Sequence, residues 1–114
     1  MLSIAAKPAI PYVRRGEVWQ IDFGMVAKVR PALVIGCDIA DEDCVLVAVV
    51  FIQHHCAASR HEVPMKVTGL EEGGFDAQSL YTIPAVKLIR RRAVLTDLQL
   101  RQVESKVKLW LGLS

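Results

Sequence analysis

Several large classes of protein are excluded by what this sequence lacks. It holds only three cysteines, Cys37, Cys44 and Cys56, an odd number with no C-x-x-C spacing. Such a set suggests neither a complete disulfide framework nor a zinc site, and it fits a reduced compartment such as the cytoplasm. Long apolar runs are missing: Cys44 to Ile52 is the longest, far short of the roughly 20 residues that a membrane helix needs, so no membrane association is expected. Residues 1–13 carry one lysine, two prolines and no apolar stretch of signal-peptide length. They read as a loose arm ahead of a single domain over residues 14–114. Repeats and low-complexity segments are absent, and a net charge of +2 is too small to establish a nucleic-acid partner by itself.

What is present is an ordinary globular balance, 53% hydrophobic and 23% charged over 114 residues, enough for one core. The cations fall in separate clusters: Arg14-Arg15, Lys28 with Arg30, Arg60, and Arg90-Arg91-Arg92. Asp38, Asp41, Glu42 and Asp43 form a compensating acidic turn. A fold that gathers those clusters acquires a basic face despite the mild total; solvated loop charge is the plainer alternative for each.

Periodicity predicts a mainly β chain. Trp19, Ile21 and Phe23 recur every second residue, with Glu17, Gln20 and Asp22 read as falling between them, the pattern of a strand with one buried face. Ala32 to Ile35 is continuously apolar and predicts a strand buried on both sides. Cys44 to Ile52, rich in β-branched residues, predicts a central buried strand that ends where Gln53-His54-His55 emerge. His61, Val63 and Met65 alternate with Arg60, Glu62 and Pro64, a strand near an edge because proline cannot donate to a ladder. Gly69 and Gly73-Gly74 frame a loop, and Leu80 to Ile89 carries one or two short strands with a break or bulge at Pro84. Thr96-x-x-Gln99 fits a capping box, Leu95 and Leu100 are placed for a hydrophobic staple, and Leu100, Val103, Val107 and Trp110 recur at helical spacing as far as Gly112. Short strands followed by one amphipathic helix argue for a strongly bent sheet or partly closed barrel with the helix packed on it.

The loop between the first two strands carries Lys28 and Arg30 just before Pro31. The proline fixes its own dihedral and pushes Arg30 towards an extended conformation, in which its planar fork can meet a phosphate. A salt bridge to Asp22 or to the acidic turn is the alternative for Arg30. Trp19 and Trp110 read as core residues rather than base-stacking platforms.

Arg15-Gly16-Glu17-Val18-Trp19, the apolar/Asp alternation, the short basic loop and Arg30-Pro31-Ala32-Leu33-Val34-Ile35 together resemble the MazF/PemK toxins, the ribosome-independent endoribonucleases of bacterial toxin–antitoxin pairs. The likeness continues to Leu113 through His61-Glu62-Val63-Pro64, Phe75 to Leu80, and the closing helix. It implies an SH3-like barrel of about five to seven strands with a C-terminal helix, usually a homodimer. It further implies cleavage of single-stranded RNA to 2′,3′-cyclic phosphate and 5′-hydroxyl ends, and an acidic antitoxin lying across the same basic groove. No metal or other cofactor is called for.

In that family a loop arginine works with a serine or threonine at the end of the following central strand. Arg30 matches the arginine, with Lys28 beside it. The hydroxyl is missing, because no Ser or Thr occurs from Cys44 to Ala58; its position aligns to Gln53 or His54. Two readings follow. His54 or His55 takes over as acid or base, which an imidazole titrating near neutrality can do, or the site keeps only a basic groove. Gln53 can hydrogen-bond a phosphate but cannot accept and return a proton. Adjacent histidines point to opposite faces of a strand, so at most one looks into a given groove. Arg15, Arg60 and Gln78 complete the candidate nucleic-acid contacts. A catalytically silent relative that binds nucleic acid or antitoxin, and a CcdB-like poison of a protein target acting through its terminal helix, are the competing functions.

Overall fold

The computed structural model describes residues 12–24, 29–40, 43–53 and 59–113; most of the expected N-terminal arm lies outside them. Six strands and one helix follow in order: β1 (Glu17–Ile21), β2 (Arg30–Val34), β3 (Leu46–Gln53), β4 (Glu62–Met65), β5 (Gly73–Pro84), β6 (Leu88–Val94) and α1 (Asp97–Leu111). They form one antiparallel sheet in the order β4-β5-β3-β2-β1-β6. β4, which contains Pro64, is an edge as its sequence predicts. The other edge is β6, whose Arg90-Arg91-Arg92 run lies on the strand rather than leading into a helix; charge on an edge opposes further pairing.

The sheet buries both faces. On one side Val18, Leu33, Val50, Ile52 and Phe75 pack beneath α1, which contributes Val103 at zero exposure together with Leu100 and Val107. On the other, Trp19, Ile21, Ala32, Val34, Val49 and Phe51 are covered by Phe23, Ile39, Val45 and Ile83. β1 therefore departs from the expectation of one buried face: Val18 serves the helix side while Trp19 and Ile21 serve the other. Glu17 departs as well. It shares the parity and the face of Trp19, is buried, and accepts the indole N–H at 3.0 Å.

The helix begins where its sequence predicts. The Thr96 side chain accepts from the Gln99 N–H, and the Gln99 side chain accepts from the Thr96 N–H, the two halves of a capping box. Gly112 closes it in the left-handed region at φ 72°. Trp110 is less buried than expected, with 44% of its surface exposed and its ring edge-on to His61.

The largest revision concerns Gly73-Gly74, expected in a loop and found at the start of β5. A Cβ at Gly73 would come within 2.7 Å of the Gln53 carbonyl oxygen, so β5 and β3 approach there more closely than side chains allow. Pro84 ends β5, and the 3₁₀ turn Ala85–Lys87 carries the chain across to β6.

Candidate active site

The pairing of β3 with β5 contains a pronounced irregularity. Leu80 faces Val50 and Phe75 faces Ile52. Between those pairs β3 advances by Phe51 alone, whereas β5 advances by Asp76, Ala77, Gln78 and Ser79. The excess forms a bulge, a device that re-aims side chains. Asp76 organises it: one carboxylate oxygen accepts the Gln78 backbone N–H at 3.0 Å, and the other accepts the Ser79 hydroxyl at 2.9 Å and the Gln53 amide N–H at 3.1 Å. Three of the four acceptor positions of the carboxylate are thus used. Gln53 is thereby held at the end of β3 by a residue that sequence reading had not singled out. Its partner lies 23 positions away, and the contact exists only in this strand register.

Arg30 begins β2, extended ahead of Pro31 as predicted. Its guanidinium lies over the Phe51 ring, 4.9 Å from the centroid, a distance at which cation–π attraction operates. One N–H reaches the Ile52 carbonyl at 3.4 Å, long for a hydrogen bond. Among the described residues no acidic side chain pairs with Arg30, so the alternative of a salt bridge to Asp22, or to Asp38 or Asp43 of the acidic turn, is not formed; Asp41 and Glu42 of that turn lie outside the described residues. The Phe51 ring is tilted against Phe23 at 4.9 Å and meets Tyr81 edge-on at 5.2 Å.

Of the candidate residues, Arg30 and Gln53 are brought together through the Ile52 peptide, and Gln78 sits in the adjoining bulge with its side chain exposed. Arg15 is elsewhere, ion-paired with Glu104 of α1 and donating to the Ile35 carbonyl at 3.1 Å. Arg60 is exposed and donates to His61 at 3.3 Å. Lys28, His54 and His55 lie outside the described residues. Among the described residues no three His, Cys, Asp or Glu side chains gather to hold a metal ion.

Arg92, part of the triple-arginine run, donates to Gln20 at 2.6 Å. With Pro31 and Ile52 these two residues border a hollow of about 210 Å³ next to the start of β2. Arg91 pairs with Glu17. Burial pushes the Glu17 carboxyl up, but the Arg14 backbone N–H, the Trp19 indole and the Arg91 guanidinium outweigh it, and the net pKa falls below the ordinary carboxylate value.

A conserved-family comparison matches residues 14–111 to the PemK-like, MazF-like toxins of type II toxin–antitoxin systems. The chain belongs to this family. Solved structures agree on the fold. An endoribonuclease in complex with its cognate antitoxin from a mycobacterial species superposes with a TM-score of 0.78 at 19% identity, covering 90% of this chain and 97% of that one. MazF from a Deinococcus radiodurans MazE–MazF complex gives 0.76 at 18%, covering 93% and 99%. Mycobacterium tuberculosis toxin MazF-mt6 gives 0.73 at 21%, covering 86% and 98%. A sequence comparison with curated proteins finds no match. The six-stranded sheet with its C-terminal helix is therefore the MazF-like fold.

Proposed function

We propose that this protein is the ribonuclease toxin of its pair, cutting single-stranded RNA by attack of a 2′-hydroxyl on the adjacent phosphate. The products carry 2′,3′-cyclic phosphate and 5′-hydroxyl ends. The observation that carries the reading is Arg30, stacked on Phe51 with a single long hydrogen bond among the described residues. A guanidinium so placed retains N–H groups for a phosphate, whose charge grows in the transition state. Gln53, oriented by Asp76, donates to or positions the phosphate. His54 or His55, next in sequence, moves the protons that an amide cannot. A homodimer, an acidic antitoxin that blocks the basic groove, and a cytoplasmic RNA target complete the proposal, in keeping with the antitoxin complexes formed by structural relatives.

Incubation with a long single-stranded RNA in EDTA should give discrete fragments ending in cyclic phosphate. Arg30→Ala should lower the rate by roughly 10²–10³-fold, the loss typical of removing a donor to a developing oxyanion. One of His54→Ala and His55→Ala should lose activity while the other keeps it. Intact RNA at high protein concentration would overturn the reading. It would favour a silent module that binds nucleic acid or antitoxin, for which the amide of Gln53 near the hydroxyl position speaks.

A further inference from the structure

Gln53, Asp76 and Ser79 stand on the face of the sheet that carries Arg30. Phe51, under the Arg30 guanidinium, belongs to the core of that face, and Gln53 shares its parity on β3. Asp76 and Ser79 adjoin Phe75 and Leu80 on β5, both of which pack on the helix side instead. We propose that the Asp76–Ser79 corner of the bulge reads the sugar of a bound strand. Ser79 accepts a hydrogen bond from a ribose 2′-hydroxyl near the phosphate held by Arg30, so the protein selects RNA over DNA in binding, before any bond is cut. The inference rests on the reading of this face as an RNA site.

The polarity of the corner carries the argument. An ionised carboxylate can only accept, so the Ser79 hydroxyl is fixed as a donor to Asp76 at 2.9 Å and its one hydrogen is spent. What remains for a ligand is the lone pairs of the oxygen, to which no described residue donates. Ser79 is half-buried, so a ligand can reach it. The position left on the Asp76 carboxylate is likewise an acceptor. Such a corner repels a phosphate, whose oxygens have nothing to donate, and calls for an O–H or N–H from its ligand. Along the backbone of a single strand the 2′-hydroxyl is that donor, and DNA lacks it. Arg30 meets the opposite need. Its guanidinium donates, it has no acidic partner among the described residues, and it reaches the Ile52 carbonyl just before the Gln53 whose amide is held by Asp76. Donor and acceptor therefore alternate across this face as phosphate and hydroxyl alternate along RNA.

The probes are strands of one sequence, 2′-fluoro throughout and therefore uncleavable, together with a set in which one nucleotide at a time carries a 2′-amine. The neutral amine restores an N–H donor at that sugar without restoring the hydroxyl nucleophile. Binding is measured at mildly alkaline pH on the wild-type protein, Ser79→Ala and Ser79→Thr. One amine position should tighten binding to the wild type by roughly 3- to 10-fold, about one hydrogen bond. Ser79→Ala should lose that preference while binding the all-fluoro strand like wild type, and Ser79→Thr, which keeps the hydroxyl, should retain it. A loss confined to one sugar is the coupling that marks direct contact, whereas a merely structural serine would weaken every strand alike. Absence of a preferred position on the wild type overturns the proposal whatever the variants do, and so does a preference that survives in Ser79→Ala. Cleavage of ordinary RNA is followed in parallel. Cleavage without a preferred sugar rejects the corner and leaves the enzyme, whereas a coupled sugar without cleavage rejects the enzyme and leaves the corner. Failure to bind any strand overturns both.

Discussion

Arg15, on the face covered by α1, is ion-paired with Glu104 and donates to the Ile35 carbonyl, while Arg30, on the opposite face, has a phenyl ring beneath it and one long contact. Both arginines belong to basic stretches that look equivalent in the sequence. The helix supplies an acid for the first, and no described residue supplies one for the second. One face thus spends its polar groups on holding α1 to the sheet, and the other leaves a cation beside a bulge whose carboxylate fixes Gln53. A basic cluster says less about binding than the count of partners its members already have.

That contrast can be broken from the helix side first. Phe75→Ala, at a site 2% exposed in the core under α1, should cost about 3–5 kcal/mol in urea unfolding. Arg30→Ala should move the same midpoint by less than about 0.5 kcal/mol, although it abolishes most cleavage. Next in size is Glu17→Ala, which strands the Trp19 indole and the Arg14 N–H and should cost about 1.5–3 kcal/mol near neutral pH. Because the folded carboxyl titrates below the unfolded one, its contribution is complete above the unfolded pKa and disappears as pH falls through the folded value. The difference in stability between wild type and variant should therefore shrink on acidification. An unchanging difference would refute the charge-based account of Glu17.

The open face is sharpened by Asp76→Asn. An amide there can no longer accept from Gln53, the Gln78 N–H and the Ser79 hydroxyl together, so kcat/KM should fall by roughly tenfold, about one hydrogen bond. Most of the loss should appear in kcat if Gln53 acts in the transition state. Smallest is Arg15→Ala. Its ion pair with Glu104 is partly exposed, with side chains 36% and 29% accessible, so stability should fall by less than about 1 kcal/mol. RNA affinity should not change, and an affinity loss comparable to that of Arg30→Ala would dissolve the distinction between the faces.

How far the sequence disclosed this arrangement depends on the range of the interactions. Trp19 and Ile21 at period two, the Arg30-Pro31 junction and the Thr96–Gln99 capping box are written within a few residues of one another, and each is formed as read. Glu17 was misplaced because its parity was overridden by its polarity: a carboxylate next to a tryptophan reads as solvent-facing until Arg14, Trp19 and Arg91 are seen to satisfy it. The glycine pair at 73 and 74 reads as a loop because nothing nearby announces the Gln53 carbonyl that excludes a side chain. Asp76 was missed for a similar reason. Its significance arises only when β3 and β5 slip past each other by the length of the bulge.

The strand order carries a consequence for synthesis. A chain halted before Gly73 already contains Arg30 and Gln53 but nothing of β5, the neighbour of β3, and nothing of β6, which must travel to the far edge to pair with β1. Asp76 and Tyr81 are therefore made late, and the sheet that joins them to Arg30 closes only after distant segments meet, an intrinsically slow step. A nascent chain that stops short of β5 therefore holds Arg30 and Gln53 without Asp76, the carboxylate that fixes the Gln53 amide.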